Sequence, residues 1–324
     1  MMQLDLFGNP VQAPSMANLL RKISWSFSKM QAFRDCPRRF YFLYYGSKKR
    51  VAKQEALKER LIELAQLSNK AMVQGTLIHQ LISIYLKKAK DGDVWDLQRL
   101  KSFANKIIQE TIVYNEQLRS NKNVSAGSYP KHILKEMYYG QINGGKLREE
   151  ITEMVGSCLN SFMTDEKFAR LRMGGSQPGA RIEGSGAFDL TDQIEVDGKI
   201  DLAFLDADKL VIADWKTGKK EMQDTSLQLL VYVLWAQQFD EWKYSSVEIQ
   251  KAYLLTGVLE KLDYSDLHIE RAKARIKQDV ELLGEMDEFG REGVKEAFGM
   301  HVGHNCKNCA FEEICHSKIV TNGY

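Results

Sequence analysis

Two carboxylates and an amine fall close together in residues 195–220, EVDGKIDLAFLDADKLVIADWKTGKK. Two apolar runs, 200–205 and 210–213, flank the turn-forming Asp206-Ala207-Asp208 and predict a β-hairpin with a short polar loop. Asp201 heads the first run and Asp214 ends the second, positions where a half-buried strand gains nothing from a charge. Residues i and i+2 of a strand share a face, so Asp214 and Lys216 project together and Trp215 projects away. Two acids and an ammonium at one sheet edge can hold a divalent cation and a water beside a phosphate. Turn aspartates with a surface lysine would be spelled the same way, so the hairpin alone leaves both readings open.

Other residues capable of chemistry lie on helical patterns. His79 falls beside the apolar stripe Leu77, Ile78, Leu81, Ile82 and Tyr85 of a helix predicted to open at Gly75. A histidine there is either a core residue or a ligand, depending on its neighbours. Gln228 and Tyr232 are spaced i and i+4, so they share one face of a helix over 224–239. Its buried side carries Leu227, Leu230, Val231 and Leu234. The tail, HNCKNCAFEEICH, sets Cys306, Cys309 and Cys315 at C-x2-C-x5-C spacing. Clustered thiols in a reducing compartment point to metal rather than disulfide. A fourth thiolate is required for a tetrahedral site or a cubane cluster, and Cys36 is the candidate. That closes a loop of about 270 residues, whose entropy cost grows only logarithmically. Zinc with His316 or His304 as fourth ligand is the alternative. Cys158 reads as an inert core thiol.

The elements that must position these groups follow from periodicity. Strands are predicted over 181–190, the hairpin and 246–256, with a charged helix over 265–289. The order helix, three strands, helix, strand gives an α/β fold: a small mixed sheet flanked by helices. Residues 52–69 read as a charged amphipathic helix, and 95–119 and 145–173 as helices of an insertion. The chain divides into a tail (1–20), an N-terminal helical part (21–91), the helical insertion (92–178), a core (179–300) and a cysteine segment (301–324). The insertion shapes a channel or docks a partner.

Composition sets the bounds. The chain has 324 residues, 44% hydrophobic and 27% charged, with five prolines, as suits a soluble globular protein with a sizeable core. No apolar run approaches the roughly 20 residues of a membrane span, and the start lacks signal-peptide character, so a cytosolic location is expected. A net charge of +2 implies no partner, but residues 21–63 hold 12 Lys/Arg against 4 Asp/Glu. Within them, SWSFSKMQAFRDCPRRFYFLYY interleaves eight aromatics with Arg34, Arg38 and Arg39. That mixture suits either a core or the stacking and phosphate pairing of single-stranded nucleic acid. Near the start, Gln3, Leu4, Asp5, Leu6 and Phe7 resemble the peptide with which bacterial replication and repair proteins dock on the sliding clamp.

Taken together, these pieces resemble the RecB-like branch of the PD-(D/E)XK nucleases. The likeness is greatest to its iron–sulfur members, the AddB nuclease domain and the CRISPR-associated RecB-like exonucleases. The matching stretches are GTLIH at residues 75–79, GKID at 198–201, DWKTG at 214–218 and QLLVY at 228–232, with Cys36, Cys306, Cys309 and Cys315. The resemblance implies a restriction-endonuclease-like core, with a [4Fe-4S] cluster on the four cysteines joining the N- and C-terminal segments. It implies His79, Asp201, Asp214 and the Trp215 carbonyl as ligands of Mn²⁺ or Mg²⁺. Lys216 would orient the attacking water and stabilise phosphate charge, and Gln228 and Tyr232 would support the site or contact the nucleic-acid backbone. Asp214 stands where many relatives have Glu. Glu183 on the first strand is a further candidate ligand.

The function implied is a metal-dependent DNA exonuclease acting on single-stranded ends in repair, recombination or a mobile-element pathway. The alternative is a DNA-end-binding module with weak or no catalysis, tethered to a helicase or the sliding clamp. A zinc-stabilised nuclease of other specificity, including RNA, is a third reading.

Overall fold

The computed structural model describes residues 22–48, 55–120, 132–218, 226–238 and 243–319. Gln3, Leu4, Asp5, Leu6 and Phe7 lie outside them, as does the side chain of His316.

Among these residues the strands are β1 (Ile23–Trp25), β2 (Leu67–Ser68), β3 (Ile133–Leu134), β4 (Arg181–Thr191), β5 (Ile194–Asp206), β6 (Lys209–Lys216), β7 (Ser246–Tyr253) and β8 (Val258–Lys261). The α-helices are α1 (Phe27–Asp35), α2 (Pro37–Tyr41), α3 (Glu55–Leu64), α4 (Lys70–Lys90), α5 (Leu97–Arg119), α6 (Lys135–Tyr138), α7 (Gly144–Thr164), α8 (Ala169–Gly175), α9 (Ser226–Ala236), α10 (Asp266–Glu292) and α11 (Glu312–Ile319).

Strand β5 organises the central sheet. It pairs with β4 along most of its length, antiparallel. Its opposite edge is shared, with β1 parallel to residues 194–196 and β6 antiparallel to residues 202–206. Residues 197–201 of that edge pair with neither, so Asp201 sits where β6 diverges from β5. Beyond β6 come β7, parallel, and β8, antiparallel. This is the mixed sheet flanked by helices that the periodicity predicts, with edge strands added.

The two faces of the sheet bury separate apolar clusters. On one, Ala203, Leu210, Ile212 and Ile249 pack with α9, α10 and the N-terminal helices. On the other, Leu202, Phe204, Val211, Ala213 and Trp215 pack with α4, α5, α7 and α8. The helices of residues 92–178 therefore share their core with the sheet.

Several boundaries differ from the sequence expectation. Helix α4 begins a turn before Gly75, because the Asn69 side chain accepts from the Met72 amide and caps it there. The helix expected over 145–173 breaks at Asp165, whose side chain caps a short 3-10 turn at Lys167 before α8 begins. The strand expected to run to residue 256 stops at Tyr253, and a turn through Gly257, with φ of 65°, returns the chain as β8.

The C-terminal segment docks on the N-terminal helices. The Phe298 ring lies 6.4, 5.1 and 5.8 Å from the rings of Phe40, Tyr41 and Tyr45. The Arg38 amide donates to the Gly299 carbonyl and its Nε to the Phe298 carbonyl. Further along, Phe311 packs on Phe42 and Tyr139 donates to the Ala310 carbonyl. The buried Lys135 ammonium meets the Lys307 carbonyl and Glu312, and Arg60 meets Glu313.

Candidate active site

The hairpin acids and the helix imidazole converge. Continuing the β5–β6 register by one residue sets Asp201 opposite Asp214. His79 on α4 reaches this point with both ring nitrogens: Nδ1 lies 3.0 Å from Asp201 Oδ1, and Nε2 lies 3.0 Å from the Trp215 carbonyl oxygen. The Trp215 amide donates to Asp201 Oδ2 at 2.8 Å. Trp215 thus joins the two halves of the site through its backbone, while its ring packs edge-on against Phe162 of α7 at 5.5 Å.

The other half gathers around Asp214. Lys216 Nζ is 2.8 Å from Asp214 Oδ2 and donates to Gln228 Oε1 at 3.1 Å. Tyr232 donates to Asp214 Oδ1 at 3.0 Å and accepts from Gln228 Nε2 at 2.9 Å. The shared face of Gln228 and Tyr232 on α9 is therefore turned to the site. Burial holds the Tyr232 hydroxyl well above the usual phenol range, reinforced by the charges of Asp214 and Asp201, so it stays a donor.

Glu183 completes the acids. β4 pairs with β5 at Ile182–Leu202 and Gly184–Ile200, which leaves Glu183 facing Asp201. Its backbone is left-handed, with φ of 54°, a conformation that costs an L residue about 1–3 kcal/mol and recurs at functional sites. Glu183 Oε1 is 3.9 Å from His79 Nδ1, and it is buried without a hydrogen-bond partner among the described residues. Donor atoms of His79, Glu183 and Asp201 all lie within 4.8 Å of one another.

Opposing effects set the charge state. Burial alone would lower His79, but its hydrogen bond to Asp201 and the charges of Asp201, Asp214 and Glu183 outweigh it and raise the imidazole above its ordinary value. Burial lifts the Asp201 carboxyl, against the pull of His79 and the Trp215 amide. The unpartnered Glu183 oxygen and the set of hard oxygens with one imidazole suit a small divalent cation. These groups open into a cleft of about 380 Å³, also lined by Lys199, Thr217 and Gly218.

A model of the PD-(D/E)XK nuclease superfamily matches residues 24–316. The chain belongs to this superfamily. No curated protein matches it.

In this PD-(D/E)XK chain the structure joins His79, Asp201, the Trp215 carbonyl, Asp214, Lys216, Gln228 and Tyr232 in one cleft. Glu183, the further candidate on the first strand, joins them beside His79 and Asp201, and the structure adds Lys199, which the GKID stretch contains but spacing does not single out. The basic residues of the aromatic segment are elsewhere. Arg34 pairs with the buried Asp279 at 2.5 Å, Arg38 holds the Phe298 carbonyl, and neither they nor Arg39 line the cleft. Trp25, Phe33, Phe40, Tyr41 and Phe42 are core.

The four predicted cluster cysteines are free thiols. Burial pushes Cys315 up to about 11 and raises Cys309, and among the described residues no three of the four sulfurs gather within 4.8 Å of one another. Cys36 stands between α1 and α2, and Cys306 Sγ accepts from the Gly303 amide at 3.5 Å. Cys158 is buried on α7 beside Met154, as expected of a core thiol. No helix among the described residues is long and apolar enough to cross a membrane.

Proposed function

We propose that this PD-(D/E)XK nuclease is a metal-dependent DNA exonuclease that acts on single-stranded ends. The observation that carries the reading is the convergence of His79, Glu183 and Asp201 within 4.8 Å, beside the Asp214–Lys216 pair. His79, Glu183, Asp201, Asp214 and the Trp215 carbonyl would hold the cation. Bound Mg²⁺ or Mn²⁺ supplies a water of lowered pKa and a positive charge for the phosphate. Lys216 offers its ammonium to the charge that develops on the phosphate oxygens, and is steered there by Asp214 and Gln228. Tyr232 and Gln228 fix the Asp214 carboxylate, so that it need not reorganise as the reaction proceeds. Arg38 and Arg39 belong to the basic N-terminal part, whose charge attracts the nucleic-acid backbone at longer range.

We read the chain as one of the RecB-like, iron–sulfur members, with a [4Fe-4S] cluster on Cys36, Cys306, Cys309 and Cys315 and zinc as the alternative. The terminal peptide from Gln3 to Phe7 would recruit the sliding clamp, and a helicase would supply single-stranded ends. On this reading the protein acts in the cytosol, in repair, recombination or a mobile-element pathway.

Anaerobic purification, metal analysis and assays on end-labelled single- and double-stranded DNA test these readings together. Absorption near 400 nm separates cluster from zinc. Asp214→Ala and Lys216→Ala are each expected to reduce Mn²⁺-dependent degradation on the order of 10²–10³-fold, with the fold intact by circular dichroism. Wild-type rates in both variants would overturn the assignment.

A further inference from the structure

We propose that Lys199 is a substrate-phosphate contact whose availability depends on the cation: it neutralises Glu183 in the cation-free cleft and turns to the nucleic-acid backbone once the cation takes up that carboxylate. The inference rests on the nuclease reading and extends it to a residue with no assigned role.

Lys199 and Glu183 form an ion pair across β4 and β5. The partners differ in setting: the Glu183 side chain is 15% exposed and that of Lys199 is 64% exposed. The ammonium uses Glu183 Oε2, while Oε1 is buried 3.9 Å from His79 Nδ1 and has no hydrogen-bond partner among the described residues. A cation bound among His79, Glu183 and Asp201 would therefore compete with Lys199 for the charge of one carboxylate. An ion pair with so exposed a member is weak and screened by salt, so a divalent ion wins that competition.

The released ammonium is well placed. Lys199 lies two residues before Asp201 on β5, hence on the same strand face, and it lines the cleft. Lys216, the other ammonium lining the cleft among the described residues, is tied to Asp214 and Gln228. Lys199 has a long, exposed stem and contributes a point charge that a flexible phosphate backbone accepts without strict geometry. The cation thereby adds both its own charge and a second phosphate contact. DNA finds its full binding surface only after the ion is in place.

The test uses the full chain and a fluorescent single-stranded oligonucleotide, titrated over a salt series with Ca²⁺ or with EDTA. Gels confirm that the oligonucleotide remains intact. With Ca²⁺, the slope of log affinity against log salt is expected to be shallower in Lys199→Ala than in wild type by about 0.7, the loss of one phosphate contact on a single strand. With EDTA the two slopes coincide. Lys199→Arg restores the wild-type slope. In the absence of DNA, Lys199→Ala is expected to bind Mn²⁺ at least about threefold more tightly, because a competing charge is gone. A residue that only balances Glu183 would shift the Mn²⁺ affinity and leave the DNA slopes alone. Equal slopes in Ca²⁺, the same slope loss in EDTA, or an unchanged Mn²⁺ affinity each overturn the inference. If wild type degrades DNA with Mn²⁺ and Lys199→Ala behaves identically in binding, the inference falls alone. If wild type neither binds nor degrades the oligonucleotide, the nuclease reading falls and takes it down too.

Discussion

Asp201 serves His79 with one oxygen and the Trp215 amide with the other, inside a site that penalises its charge. Both Asp201 and His79 are shifted upward, so each holds a proton to higher pH than it would in water. A divalent cation must displace those protons. Its affinity is therefore expected to fall as pH drops, and titrations with Mn²⁺ at pH 8 and pH 6 should show weaker binding at the lower value. The sign is opposite for the cation-free protein: stabilisation by the His79 proton is present below the ordinary imidazole value of 6.5 and fades as pH rises through the folded value. Asp201, Asp214 and Lys216 could be read from the letters, because a charge at the end of an apolar run needs a reason. His79 became readable only beside them. Glu183 was harder to read and stood only as a further candidate, since its left-handed backbone leaves no mark in the sequence. Arg34 shows the converse: its charge suggested a nucleic-acid contact, but the buried Asp279, 245 positions away, holds it within the fold.

Elements long enough to show a period were readable, and short ones were not. The hairpin, α9 and α10 follow their apolar spacing, with boundaries displaced by a few residues. β1 and β8 have three and four residues, too few to show alternation, and they exist because β5 and β7 offer open edges. Close approach between elements was also hidden. A Cβ at Gly174 of α8 would stand 2.0 Å from Phe204 Cε2, so the helix lies against β5 only because that position is bare. Gly174→Ala is expected to cost about 1–3 kcal/mol in urea unfolding, even though alanine favours a helix, because the rigid ring has to move.

At the scale of the whole molecule, the ends of the described chain are fastened to one another. Phe298 is fully buried among Phe40, Tyr41 and Tyr45, and Lys135 and Arg60 grip the segment that carries the last three cysteines. The cysteine spacing pointed to this meeting of termini, but the aromatic anchor could not be foreseen, since one phenylalanine in a tail has no pattern around it. Phe298→Ala is expected to cost about 3–5 kcal/mol and to make the C-terminal segment sensitive to protease, measured by denaturation and limited digestion. Trp215 has a wider consequence. Its peptide group touches both halves of the reaction centre, while its indole is wedged into the opposite layer against Phe162. The packing of that layer therefore bears on where the Trp215 peptide group stands in the candidate site. Phe162→Leu, which removes the ring that packs on Trp215, is expected to slow turnover by about 0.5–2 kcal/mol of coupling, seen as a lower kcat at saturating Mn²⁺. A change confined to this apolar layer thus reaches the candidate site through one peptide group.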